Sequence, residues 1–194
     1  MRSAAPVLAA VATAVLATGV AACSQQQAPS EASTPTSSAS VSAVASPLPT
    51  PVVLGETNDA DPDSVADAVA VALSVHDART DAGSQAVWTR ARPLLTGDLA
   101  TSAQAGGGAE VERPDNRWAM MQSHQAHDVV EKIDRHTDDP VPDTATKAQR
   151  QRAVSTRAYA DNGWNGLIRT TRYWLTLTNT GGAWRVSAVR STID

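Results

Sequence analysis

A change of hydrophobic period near residue 129 limits this chain's fold more than any other feature. Before it, apolar residues recur with the 3.6-residue period of a helix; after it, they alternate with period 2. Asp61-Pro62-Asp63 signals a helix start: a capping carboxylate, a proline at the first helical position and an acid at the positive end of the dipole. Val65, Val69, Ala72 and His76 then share one face, which predicts an amphipathic helix to about Arg79. Gly83-Ser84 opens a second helix with Trp88, Ala91 and Leu95 on one side, kinked or ended by Pro93. Thr96 caps a short third helix that includes Leu99. Gly106-Gly107-Gly108 and Pro114 make residues 105–115 a loop. Residues 118–127 read either as a helical turn or as an extended entry.

Beyond that point Val129, Glu131 and Ile133 alternate with Val130 and Lys132, which predicts a first strand. Residues 137–142 are polar and contain two prolines, so they form a loop. Residues 153–161 make a second strand that ends at the turn Asn162-Gly163. Residues 167–178 are the clearest strand, with Tyr173, Leu175 and Leu177 on one face and Trp174, Thr176 and Thr178 on the other. Asn179-Thr180-Gly181-Gly182 is a turn, and residues 183–190 return with Trp184, Val186 and Ala188 on one face. Helices first and an antiparallel meander afterwards define an α+β fold, with about three helices packed on one face of a curved sheet of about four strands. The chain lacks Phe, and its five Trp and two Tyr all follow residue 80. The core is therefore expected in the second half, with the tryptophans as its large members.

This order of elements resembles the nuclear transport factor 2-like (NTF2-like) cone. Gly181-Gly182-Ala183-Trp184-Arg185-Val186 is similar to the aromatic-basic-aliphatic final strand common in that family. The stretch Trp88…Pro93-Leu94-Leu95-Thr96…Leu99 resembles the second-to-third helix passage of small actinobacterial exported proteins with this fold, conjugation-associated ones among them. The resemblance covers residues 60–193 and matches no signature residue of a catalytic branch. It implies a cavity between helices and sheet, where some branches place a His–Asp proton-transfer couple. A cystatin-like sheet wrapped on one helix is the competing architecture.

The N-terminal third obeys different rules. Arg2 supplies a positive start, and residues 6–20 are small and apolar, about the length of a signal-peptide core and short of the ~20 residues that a membrane span needs. Val20-Ala21-Ala22-Cys23 resembles the lipobox of bacterial lipoproteins, with Val20 where Leu is commoner. The resemblance implies cleavage after residue 22 and acylation of Cys23, the single cysteine of the chain. An ordinary secretory signal and an uncleaved anchor are the other readings of this segment. Two or more acyl chains would anchor the protein stably at the outer face of the cell membrane. Residues 24–51 are mostly Ser, Thr, Pro, Ala and Gln with few branched apolar side chains and one charge, Glu31, and cannot bury enough apolar surface to offset their ordering entropy. They are expected to be a disordered spacer, with the linker running to residue 57 and the globular domain spanning residues 58–194.

Little in the chain points to chemistry. A net charge of −4, the lysines Lys132 and Lys147 standing alone, and no basic run argue against a nucleic-acid partner. His124 and His127 would share one side of a helix and could bridge a metal, but on a strand they would diverge, and no third ligand has recognisable spacing. His76 closes the apolar stripe of the first helix and is a candidate for acid–base chemistry in a cone cavity. Asp134 with Asp138-Asp139 lacks calcium-loop spacing. Neither cofactor nor catalytic residue is expected, and the reading is a non-catalytic envelope module that binds a protein partner through the sheet face or cone mouth. A small hydrophobic ligand in the cone and an NTF2-like acid–base enzyme are the alternatives. The ligand reading requires a cavity of several hundred Å3. The enzyme reading requires a carboxylate within reach of an imidazole inside one.

Overall fold

The computed structural model describes residues 55–105, 116–136 and 141–194. Cys23, the signal-peptide and spacer segments up to residue 54, the glycine loop at 106–115, and Asp138 and Asp139 lie outside the described residues.

α1 spans Pro62–Ser74. Asp61 accepts a hydrogen bond from the Asp63 amide at 2.9 Å, and Pro62 occupies the first turn, as the sequence indicates. The helix stops five residues before the expected Arg79 because tertiary bonds draw the chain out of it. The Asp128 amide donates to His76 O at 2.7 Å, and the Ala78 amide donates to Ala126 O at 2.9 Å. Asp77 pairs with His127 in an isolated antiparallel bridge. Arg90 holds the same connection from below, donating to Asp81 Oδ1 at 2.5 Å and to Val75 O.

α2 is Ala86–Ala91, followed by a 3-10 turn at Arg92–Leu94 where Pro93 sits. α3 is Gly97–Gln104. Thr96 stands at its N-cap without a side-chain capping bond; its amide instead donates to Val186 O at 2.9 Å. The ambiguous stretch resolves into a fourth helix, α4, Asn116–His124, which ends as Gln125 turns to φ 53°.

The strands are β1 His127–His136, β2 Lys147–Tyr159, β3 Arg169–Thr180 and β4 Ala183–Ile193. They form one antiparallel sheet in the order β1-β2-β3-β4. Helices packed against a four-stranded antiparallel meander are the α+β arrangement that the sequence leads one to expect; a sheet on a single helix does not describe it. Register shifts lie at Val130/Lys132 and at Thr176/Leu177. Such bulges bend a strand and change which residues face inward. They correct two expectations. Val130 and Ile133 both face the helices although simple alternation puts them on opposite faces, and Val189, opposite Leu175, takes the place expected of Ala188.

The core is built from Val65, Val69, Leu175, Leu177, Val186 and a series of buried alanines. The expectation that the five tryptophans fill it is wrong. Trp184 alone is buried, and Trp88 packs partly against the same cluster. Trp174 instead lies on the outer face under the Arg190 guanidinium, 4.8 Å from it, and Trp164 stacks on His124 with ring centroids 4.3 Å apart.

Candidate functional site

The inner face of the sheet carries charge at both ends of α1. Toward its N-terminus, Asp63 and Asp67 lie one turn apart and meet β1 and β2. Arg152 donates to both, Arg135 donates to Asp67 at 3.1 Å through Nε, and Arg150 donates to Asp63 at 3.0 Å and to Asp143 at 2.8 Å. Arg152 is 1% exposed and Asp67 5%. Burial pushes the Asp63 carboxyl up, but the hydrogen bonds from Arg152 and Arg150 outweigh it and hold the group below its ordinary range. This end fastens helix to sheet.

The other end opens into a cavity of about 390 Å3 between α1, α2, α4 and the ends of β3 and β4. Leu73, Val87, Trp88, Trp118, Met121 and Val189 supply its apolar wall. At its floor Ser74 Oγ donates to Ala70 O at 2.8 Å and meets the Tyr173 hydroxyl at 3.0 Å. Ser74 has one proton, already directed to Ala70, so Tyr173 donates in that pair.

His76 reaches this cavity from the extended segment after α1, not from the helix face the sequence implied. Its Nδ1 lies 3.3 Å from Asp128 Oδ2, and its amide donates to the same oxygen at 3.1 Å. The Arg117 guanidinium binds both Asp128 oxygens, Nη1 to Oδ2 at 3.0 Å and Nη2 to Oδ1. Asp128 has no exposed side-chain surface. Burial raises its pKa, but the His76 and Arg117 hydrogen bonds outweigh burial and depress it. The Trp118 ring lies 6.0 Å from the His76 ring, tilted by 51°. The geometric condition for an acid–base reading, a carboxylate in reach of an imidazole at a cavity, is thus met at His76. The carboxylate itself is clamped by a permanent cation.

His124 and His127 do not form a pair on one element, since α4 ends at the first and β1 begins at the second. His127 Nδ1 is buried without a hydrogen-bond partner. No group of three or more His, Cys, Asp or Glu side chains is placed to hold a metal among the described residues. Tyr173 had a legible signal, its place on one strand face with Leu175 and Leu177. Asp128 and Arg117 had none, because their meeting with His76 depends on the packing of β1 and α4 against the end of α1.

No family model matches the chain, and no curated protein matches it. Among solved structures it is similar to a TrwG component of a type IV secretion system from Bartonella birtlesii, at 13% identity and a TM-score of 0.43, covering 75% of this chain and 96% of that one. It is also similar to the VirB8 protein of Agrobacterium tumefaciens, at 10% identity and a TM-score of 0.39, covering 72% of this chain and 96% of the other. Both scores are low, so the fold assignment rests on this chain's own topology.

Proposed function

We propose that the chain is a lipid-anchored extracytoplasmic lipoprotein whose domain is a non-catalytic binding or assembly module of the cell envelope, associated with conjugation or secretion. The location is supported by the sequence: an apolar leader, the Val20-Ala21-Ala22-Cys23 lipobox and the polar spacer after it. The non-catalytic role is supported by the sequence, which matches no signature residue of a catalytic branch. Asp128 is itself unsuited to act as a base, because the Arg117 guanidinium and His76 engage both oxygens of this buried carboxylate.

Metabolic labelling with palmitate tests the anchor. Label is expected on the wild type and absent from Cys23→Ala; an unlabelled wild type, or equal label on both, overturns it. For the assembly role, a photo-reactive residue at exposed Gln149 on the outer sheet face is expected to give a discrete adduct with an envelope protein in living cells. Its absence across the positions of that face counts against a protein dock.

One observation favours a second reading. The cavity beside His76 has the size and the mixed apolar and hydroxyl lining of a small-molecule site, so a small hydrophobic ligand is the occupant if the module acts by binding rather than by assembly.

A further inference from the structure

Three of the large apolar side chains left exposed among the described residues gather at one end of the sheet. Leu167 is 90% exposed and Ile168 50%, immediately before β3; Ile193, 40% exposed, closes β4 opposite Thr171. The connection that presents the first two is held firmly. The Ala160 amide donates to Trp164 O and the Gly166 amide to Ala158 O, each at 2.9 Å. Trp164 is stacked on His124, and a Cβ at Gly166 would come within 3.3 Å of the Trp164 ring. Leu167 and Ile168 are therefore displayed by a fixed scaffold, in a chain that had inward positions available for aliphatic residues.

We propose that this tip docks on an anionic lipid surface. Protein partners fit it poorly, because a stable protein interface takes roughly 20–30 residues a side and the tip offers three aliphatic side chains. A bilayer interface needs no complementary pocket; binding grows with buried apolar area and with attraction of basic residues to acidic headgroups. The same half of β3 and β4 carries Arg169, Arg172 and Arg190; Arg172 is paired with Asp194 at 3.0 Å, Arg190 lies over the Trp174 ring, and Asp161 stands in the connection before β3. The proposal draws on the anchor reading for one element. Acylation at Cys23 would tether the domain beside the membrane, where a raised effective concentration keeps a weak tip contact occupied.

The test uses the mature chain with Cys23→Ala, which carries no acyl group, so that the tip is measured apart from the anchor. Flotation is measured with vesicles of equal parts phosphatidylglycerol and phosphatidylcholine, and with phosphatidylcholine alone. The chain is expected to float with the acidic vesicles, less so as salt rises, and the double variant Leu167→Asp, Ile168→Asp to bind about ten-fold more weakly. Circular dichroism of the double variant, at two solvent-facing positions, is expected to match the parent. In a second measurement, Leu167→Cys in the same background carries an environment-sensitive dye, whose emission is expected to shift to the blue on acidic vesicles. A parent chain that does not float, a folded double variant that floats equally, equal uptake by neutral vesicles, or cross-linking of position 167 to protein without vesicle binding overturns the proposal. Failure of palmitate labelling would leave this result standing, because the acyl group is absent from the assay.

Discussion

Arg152 of β2 reaches across the inner face of the sheet and donates from Nε to the Asp67 carboxylate of α1, and both side chains are buried. A buried pair of this kind adds little net stability relative to apolar residues of similar shape, yet removing one partner leaves the other charge poorly compensated. Arg152 keeps its bond to Asp63 when Asp67 is removed, so Asp67→Ala is expected to destabilise the domain by about 3 kcal/mol, whereas the double change Asp67→Leu, Arg152→Met loses less. Urea unfolding of the two variants and the parent measures this. Equal losses in single and double variants would show that the pair does not act as a unit.

Acid stability follows from the depressed carboxyls. Hydrogen bonds from Arg79 take Asp77 down to about 2, against the opposing effect of burial, while Asp63 and Asp128 lie below the ordinary value of 3.8 in spite of burial. A group depressed in the fold contributes fully above its unfolded value and loses that contribution as pH falls through its folded value. Stability is expected to decline below about 3.8 and to continue falling to about 2. Asp128→Asn should flatten part of that slope, read from thermal melts across the acid range. An unchanged slope would remove Asp128 from the account.

The β3–β4 turn depends on backbone freedom. Thr180 pairs with Ala183 across a two-residue connection, with Gly181 at φ 65° and Gly182 at φ 89°. Both central residues in the left-handed region define the hairpin turn that matches strand twist. Nothing lies within 4 Å of a Cβ built at Gly182, so the cost of Gly182→Ala is conformational. About 1–2 kcal/mol is expected from differential scanning calorimetry, and Gly55→Ala, with ordinary φ and open space, should cost nothing measurable.

The cavity can be narrowed without disturbing the core. Ala119 is exposed on α4 and lines the opening. Ala119→Trp is expected to weaken uptake of an apolar fluorescent dye while leaving the melting temperature unchanged. Equal uptake by both chains would place the dye elsewhere and remove support for the ligand reading.

Much of the architecture was legible in residue order. Helix start signals at Asp61-Pro62, clean alternation at Tyr173, Leu175 and Leu177, and the Gly181-Gly182 turn are local, and local chemistry is enough to set them. The first half of β2 was hidden because two of its inward positions are Arg150 and Arg152, which read as solvent-facing until Asp63 and Asp67 are seen above them. The C-terminal end of α1 was overestimated for a related reason. Residues 75–79 carry a helical pattern, but their backbone groups find partners on β1 and on Arg90. The site itself was half visible. His76 stood out as a titratable group on an apolar stripe, whereas its clamp joins Asp128 of β1 to Arg117 of α4, 52 and 41 residues further along the chain.

The sequence by itself determined the element types, the helices-then-meander order and the turn positions, because each rests on contacts among near neighbours in the chain. Tertiary structure alone decided which charges lie inside, which tryptophans stay out of the core and which carboxylate meets His76. Those outcomes turn on pairings between distant segments, where burial makes a charge tolerable only if its partner arrives from elsewhere in the fold.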